Sequence, residues 1–274
     1  MNFQTLINMA LAEDIGSGDV TTQALIPEGL HVRMALVARE PLVMAAGEAA
    51  AQTFRTLDAS IDAEIAVKDG ERAAAGQPLV VLHGPARPLL SAERVALNLL
   101  QRACGIATAT RAFVEAVTGT HAAILDTRKT MPGVRSLDKY AVRCGGGVNH
   151  RFGLYDAALI KDNHIALCGG IAQAVARLRA QAPVPVIVEC DTLAQVEDAL
   201  AARPDRILLD NMTPEEMRRA VALARGRVKM EASGGITLAN ARAIAETGVD
   251  FLSVGALTHS VKAADIGADI QMEE

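Results

Sequence analysis

The chain has no tryptophan, two tyrosines and five phenylalanines among 274 residues, so alanine, valine, leucine and isoleucine must fill its interior. It also lacks a Cys-x-x-Cys pair. Its cysteines stand at 104, 144, 168 and 190, a scatter that offers neither a disulfide framework nor a zinc ribbon and points to free thiols in a reducing compartment. No His-x-x-x-His or Cys/His cluster proposes a zinc centre, and no Gly-x-Gly-x-x-Gly invites a dinucleotide fold. The N-terminal "MNFQTLINMALAEDIG" has no basic leader before a long apolar run, and no apolar run reaches the length of a membrane span. An excess of positive charge is missing as well. The formal net charge of -5 gives no support to nucleic-acid or membrane-surface binding. A soluble cytoplasmic protein is the expectation.

What is present is enough apolar material for a large core. Half the residues are hydrophobic, and 28.7 kDa suits one large domain or two modest ones. The first hundred residues read as a small mixed α and β domain. "FQTLINMALAEDI" fits a short amphipathic helix, and "GSGDVTTQALI" a Gly-broken polar loop. "HVRMALVARE", "IDAEIAVKDG" and "QPLVVLHGPA" fit strands. "RPLLSAERVALNLLQRACGIATATRAFVEAV" reads as a long helical region with an expected break near Cys104 and Gly105, and Ser91 is a candidate N-cap.

After about residue 120 the rhythm changes. Apolar runs without strict alternation recur as "AAILDTR", "DAALIKD", "VPVIVECD", "RILLDN", "VKMEASGG" and "FLSVGA", separated by helical patterns. From Ile187 to Leu208, Met230 and Ser253 the steps are 21, 22 and 23 residues. This is the pattern of parallel strands covered on both faces, in a barrel or an open sheet. The barrel is favoured by the strand ends, which carry Arg128 and Lys129, Lys161, Glu189, Asp210, then Glu231 and Ser233. A β/α barrel gathers all such ends on one face, whereas an open sheet gathers only those near its switch point. About six strands are visible rather than eight.

Those ends carry a local charge anomaly. Between Arg128 and Lys161 lie Arg128, Lys129, Arg135, Lys139, Arg143, Arg151 and Lys161, opposed only by Asp138 and Asp156. A basic patch in an acidic chain points to a small anionic ligand. Arginine offers a planar fork for carboxylate or phosphate, and lysine a compact charge. The loops "ASGGI" and "SVGA" can present backbone N–H groups to a phosphate, the first beside a helix that starts near Thr237, although a plain tight turn is the competing reading. Glu189 and Asp210 are unusual companions for an anion site. They suit sugar hydroxyls, Mg2+ shared with phosphate oxygens, or a salt-bridge network that positions Lys161.

Taken together, "LAEDIGSGDVTT", "SAERVALNLLQRACGIAT", "DTRKTMPGVRSLDKYAVRCGGGVNHRFGLYDAALIKDNH", "LLDNMTPEEM" and "EASGGITLANARAIAETGVDFLSVGALTHS" closely resemble the quinolinate phosphoribosyltransferases over nearly the whole chain. The family motif usually has serine where Cys104 stands here; the charged positions are all kept. The resemblance implies an α/β fold. An N-terminal α/β-sandwich domain over 1–108, completed by C-terminal residues, precedes an incomplete β/α barrel over 109–274. It implies phosphoribosyl transfer from 5-phosphoribosyl 1-diphosphate to quinolinate with decarboxylation, assisted by Mg2+, in a homodimer with shared active sites. By motif position, Arg94 corresponds to the arginine lent to the partner's site. Arg128, His150 and Arg151 correspond to the quinolinate pocket, and Lys129 and Lys161 to the lysines between the two substrates. Glu189 and Asp210 match the carboxylates near the ribose and metal, while Ser233, Gly234, Gly235 and Gly255 fall in loops around the 5-phosphate. A relative acting on another aromatic acid, or a non-catalytic metabolite binder, remains the alternative. The retained Arg128, His150 and Arg151 argue against the first, and Lys129, Lys161, Glu189 and Asp210 together against the second.

Overall fold

The computed structural model describes residues 3–272. The elements run α1 (Gln4–Ile15), α2 (Val20–Leu25), β1 (His31–Ala38), β2 (Leu42–Val43), α3 (Gly47–Leu57), β3 (Asp62–Ile65), β4 (Arg72–Ala73), β5 (Pro78–Pro85) and α4 (Ala86–Ala116). There follow β6 (Ala123–Leu125), α5 (Arg135–Cys144), β7 (Ala158–Ile160), α6 (Asp162–Cys168), α7 (Ile171–Gln181), β8 (Val186–Cys190), α8 (Leu193–Ala202), β9 (Arg206–Asp210), α9 (Pro214–Ala224), β10 (Lys229–Ser233), α10 (Leu238–Ala245), β11 (Phe251–Ser253), α11 (Ala256–His259) and β12 (Ile266–Met272). They form two compact units. One holds the chain up to Arg111, the segment Thr130–Gly146 and the chain from Leu257 onward; the other holds Ala112–Lys129 and Gly147–Ala256.

The first unit is built on an antiparallel sheet of order β12-β1-β5-β3. Strand β1 is the axis of this sheet, pairing Val32 with Met272 through to Ala38 with Ile266 on one side and His31 with Pro85 on the other. Its Val32, Met34 and Leu36, with Leu79, Val80 and Leu82 of β5 and Ala50, Ala51 and Phe54 of α3, are all buried. Small alanines on α3 leave room for the sheet, which is how a chain so poor in aromatics reaches a close-packed core.

Three local expectations are corrected here. The stretch read as a loop contains α2, because Asp19 caps the helix by accepting from the Thr22 backbone N–H at 2.9 Å. Helix α4 runs unbroken through Cys104 and Gly105. Gly105 serves close approach instead: a Cβ there would lie 2.2 Å from the Lys262 carbonyl oxygen. Ser91 is no N-cap, since it lies inside α4 and its hydroxyl donates to Asp19 at 2.9 Å.

Also in this unit, Asp138 of α5 is fully buried and receives two hydrogen bonds of 2.8 Å from Arg102, which also donates to the Thr258 carbonyl. A buried carboxylate is tolerable only with such a partner. The basic run of the sequence is therefore divided. Arg135, Lys139 and Arg143 lie on α5 in the first unit, and only Arg128, Lys129, Arg151 and Lys161 belong to the second.

The second unit carries six parallel strands in the order β6-β11-β10-β9-β8-β7, wrapped by helices in an incomplete β/α barrel. A single parallel bridge from Leu125 to Val148 extends the far edge beyond β6. The strands are apolar and buried in their middles, as Ile187, Val188, Ile207, Leu208, Leu209, Met230, Ala232 and Leu252 attest. Helix starts are set by repeated threonine capping boxes. Thr192 pairs with Gln195, Thr213 with Glu216 and Thr237 with Asn240, with Pro214 in the first turn of α9. Each box lies a few residues past its strand, so Glu189, Asp210 and Ser233 stay in the mouth of the βα loops rather than being drawn into a helix.

Candidate active site

A cavity of about 300 Å3 opens at the carboxyl ends of the parallel strands, lined by Thr127, Arg128, Lys129, His150, Arg151, Leu159, Lys161, Glu189, Leu208, Asp210, Glu231, Ser233 and Ser253. Its layering follows from the period-2 geometry of a strand. Leu159 and Lys161, Leu208 and Asp210, and Glu231 and Ser233 are alternate residues that project to the same inner face. Ser233 pairs in register with Asp210 on one side and Ser253 on the other, so these three share one level.

Two of the cations, Lys161 and Arg151, are held by neighbouring polar groups. Lys161 Nζ donates to Glu189 Oε2 at 2.5 Å across adjacent strands β7 and β8. The salt-bridge reading of Glu189 is thus present in the structure. Arg151 Nη1 donates to the Ala157 carbonyl at 3.0 Å. Burial, with the like charge of Arg128 second, lowers the Arg151 pKa, and Asp156 only partly offsets this. Guanidinium groups stay protonated at any physiological pH, so the physical meaning is a partly desolvated cation with the like charge of Arg128 acting on it, both of which an anionic ligand would offset. Lys129 lies one residue past Arg128, and its backbone N–H donates to Thr127 Oγ1 at 3.0 Å.

The segment with His150 and Arg151 is pinned from below. Asp126, fully buried at the end of β6, accepts from the His150 backbone N–H at 2.8 Å and from Asn149 Nδ2 at 2.6 Å. Glu231, also fully buried, accepts from Ser253 Oγ at 2.5 Å and Arg206 Nη1 at 2.9 Å, and lies 3.4 Å from His150 Nε2. Burial alone pushes the Glu231 carboxyl up, but the bonds from His150, Ser253 and Arg206 outweigh it and hold the group below its ordinary range.

Asp210 Oδ2 accepts from Asn211 Nδ2 at 2.7 Å. The following loop is shaped by glycine. Gly234 and Gly235 have φ of 91° and 60°, and a Cβ on Gly234 would lie 2.1 Å from Asn211 Oδ1, so both its dihedral and its closeness require the missing side chain. This loop leads directly to Thr237 and the start of α10.

Of the residues expected from the sequence, Arg128, Lys129, His150, Arg151, Lys161, Glu189, Asp210 and Ser233 share this one cavity. Gly234 and Gly235 adjoin it through Ser233, and Gly255 follows Ser253 by two residues. Arg94 lies on α4 in the first unit, its side chain 60% exposed and 3.8 Å from Glu93. Sequence reasoning missed Thr127, Leu159 and Leu208, and it noticed Glu231 and Ser253 without assigning them to a site. Alternation from Lys161 back to Leu159, and from Asp210 back to Leu208, was the available signal. Among the described residues no group of three or more His, Cys, Asp or Glu side chains is arranged to hold a metal ion, and no helix is long and apolar enough to cross a membrane.

Two family models match the chain consecutively. The quinolinate phosphoribosyl transferase N-terminal domain matches residues 19–104 and the C-terminal domain of the same family residues 106–269. The chain is 49% identical to the nicotinate-nucleotide pyrophosphorylase [carboxylating] of Mycobacterium leprae, over 96% of this chain and 95% of that protein. It is 44% identical to the probable enzyme of the same name from Bacillus subtilis, over 99% and 94%. The crystal structure of NadC from Streptococcus pyogenes superposes with a TM-score of 0.96 at 39% identity, over 99% of this chain and 97% of that one. The nicotinate-nucleotide pyrophosphorylase of Ehrlichia chaffeensis superposes with a TM-score of 0.95 at 43% identity, over 99% of both.

Proposed function

Because the chain belongs to the quinolinate phosphoribosyl transferase family, we propose that the strand-end cavity is where it joins quinolinate to 5-phosphoribosyl 1-diphosphate. The reaction yields nicotinate mononucleotide, diphosphate and CO2, a step of NAD synthesis. The observation that carries the assignment is the division of charge inside one cavity. Arg128, Lys129, Arg151 and Lys161 supply cations, while Glu189 and Asp210 supply carboxylates.

The chemistry needs that division. Quinolinate enters as a dicarboxylate, and Arg128 and Arg151 form the only arginine pair in the cavity lining. Arg151, already braced on Ala157, offers a planar fork to one carboxylate. The pyridine nitrogen carries its own lone pair, so its attack on C1 of the ribose requires no general base. As the new C–N bond forms, the C1–O bond breaks and its electron pair leaves with diphosphate. Positive charge develops on the ribose, where the carboxylates of Glu189 and Asp210 stabilise it. Lys129 and Lys161 face the charge gathering on the departing group. The Lys161–Glu189 pair keeps the ammonium beside the ribose side of the cavity until phosphate oxygens compete for it. The ring nitrogen is then quaternary. The bond from C2 to its carboxylate breaks, CO2 leaves, the pair remains on C2 beside the positive nitrogen, and C2 takes a proton from water. The protein's part is to hold the ring and limit competing protonation. The Ser233–Gly235 loop and the start of α10 offer backbone N–H groups to the 5-phosphate.

The donor set fits Mg2+ as a substrate-borne ion. Two carboxylates on adjacent strands, each with one oxygen already hydrogen-bonded, suit a hard cation that keeps water and phosphate ligands better than an all-protein cage. Mg2+, when bound by Glu189, Asp210 and phosphate oxygens, would offset charge on the diphosphate. A homodimer in which Arg94 serves the partner's cavity belongs to the same reading, supported by the exposed Arg94 side chain and its motif position. A cytoplasmic location is the reading that the four free thiols support.

The test is product formation with quinolinate and nicotinate side by side, in metal-depleted buffer and after Mg2+ addition. Turnover of quinolinate alone, restored by Mg2+, is expected. Equal use of nicotinate, or undiminished turnover without Mg2+, would overturn the acceptor or the metal assignment respectively.

A further inference from the structure

Glu231 is the one fully buried carboxylate among the cavity-lining residues, and no step above uses it. Burying a carboxylate is costly unless its oxygens are satisfied. Here donors converge on it from three places in the chain: Ser253 on β11, Arg206 on β9 and His150 in the loop beyond the β6 bridge. Arg206 is itself braced, its guanidinium carbon 4.2 Å from the centre of the Phe251 ring.

The informative partner is His150. Its Nδ1 accepts the Arg151 backbone N–H at 2.7 Å. An accepting Nδ1 puts the ring hydrogen on Nε2, and Nε2 faces Glu231. Both ring nitrogens are thereby engaged, and the imidazole is a strut between the floor of the cavity and the main chain of Arg151. Asp126 grips the same segment from the β6 side, through the His150 backbone N–H and the Asn149 side chain. The backbone that aims Arg151 is thus tied to two buried carboxylates, one of them next but one to Arg128.

We propose that Glu231 is a positioning residue for quinolinate recognition, acting through the His150 ring to fix the Arg151 guanidinium relative to Arg128. The proposal rests on the reading that Arg151 holds a quinolinate carboxylate. It also assigns His150 a different role from a direct ligand: the ring transmits position and does not donate to substrate.

The test is Glu231→Gln in the intact enzyme. Glutamine keeps the volume but turns an N–H group toward one of the three donors. Quinolinate Kd, by calorimetry, should rise roughly tenfold or more, in the range of one charge-assisted hydrogen bond. The KM of the phosphoribosyl donor should stay within about twofold, a split that general structural damage would not produce. Should Glu231→Gln fail to fold, Ser253→Ala removes one donor and leaves the charge. It should raise quinolinate Kd about two- to fivefold with the same selectivity. Unchanged quinolinate affinity, or equal weakening of both substrates, overturns the proposal in either variant. Arg151→Lys run alongside separates the two levels. If it weakens quinolinate and Glu231→Gln does not, the positioning role fails alone; if neither does, the pocket assignment fails with it.

Discussion

Replacing Arg151 by lysine keeps the charge of the proposed quinolinate pocket and removes only its geometry. In the structure one guanidinium nitrogen of Arg151 is committed to the Ala157 carbonyl at 3.0 Å. The planar group can brace on that carbonyl and still present a parallel pair of N–H donors to a carboxylate. A lysine ammonium is a single point at the end of a flexible chain. Its three N–H donors radiate from one point, so it cannot stay on Ala157 and also lay two parallel N–H bonds along a carboxylate. The expected loss is one charge-assisted hydrogen bond, about 1.5–3 kcal/mol, or roughly a 10- to 150-fold rise in quinolinate Kd. The positive charge near Arg128 is retained, so the long-range attraction of the dianion is unchanged and the loss reports the fork itself. Calorimetry with quinolinate gives the affinity, and kcat/KM for each substrate at saturation of the other shows whether the donor side is spared. A Arg151→Lys enzyme with wild-type quinolinate affinity would refute the argument, because neither charge nor volume differences could hide the loss of a real bidentate contact.

Glu189→Ala and Asp210→Ala should impair use of the phosphoribosyl donor far more than quinolinate binding; intact donor binding with normal turnover would remove both from the ribose side. Arg94→Ala and Lys161→Ala, each inactive as parents, should regain activity approaching one working site per isolated heterodimer when mixed through two affinity tags. Verified heterodimers without recovered activity would rule out the shared-site role of Arg94.

Much of this fold is readable from local pattern. The six parallel strands are largely apolar and buried in their middles, and the helices after β8, β9 and β10 open on Thr192, Thr213 and Thr237 with their capping partners three residues on. What was not readable depends on distant neighbours. Strand β12 carries the burial pattern of a largely exposed segment and exists because β1 pairs with it across more than two hundred residues of chain. Gly105 looks like a helix breaker until the Lys262 carbonyl is seen to occupy the space of its missing side chain. The basic run from Arg128 to Lys161 looks like one patch, yet α5 takes Arg135, Lys139 and Arg143 into the other unit. At the site, charged strand ends announced themselves, since a charge closing an apolar run is a local anomaly. Glu231 stands one layer deeper. Its meaning comes from register with β9 and β11 and from the His150 ring reaching it from another loop, and none of these is a property of its own stretch of sequence.

The most direct measurement follows carbon through one turnover. Quinolinate labelled with 13C only in the carboxylate at C2, incubated with 5-phosphoribosyl 1-diphosphate, Mg2+ and the purified enzyme, should give unlabelled nicotinate mononucleotide, labelled CO2 and diphosphate in equal amounts. A nucleotide that retains the label, or loss of labelled CO2 without diphosphate release, would contradict the account.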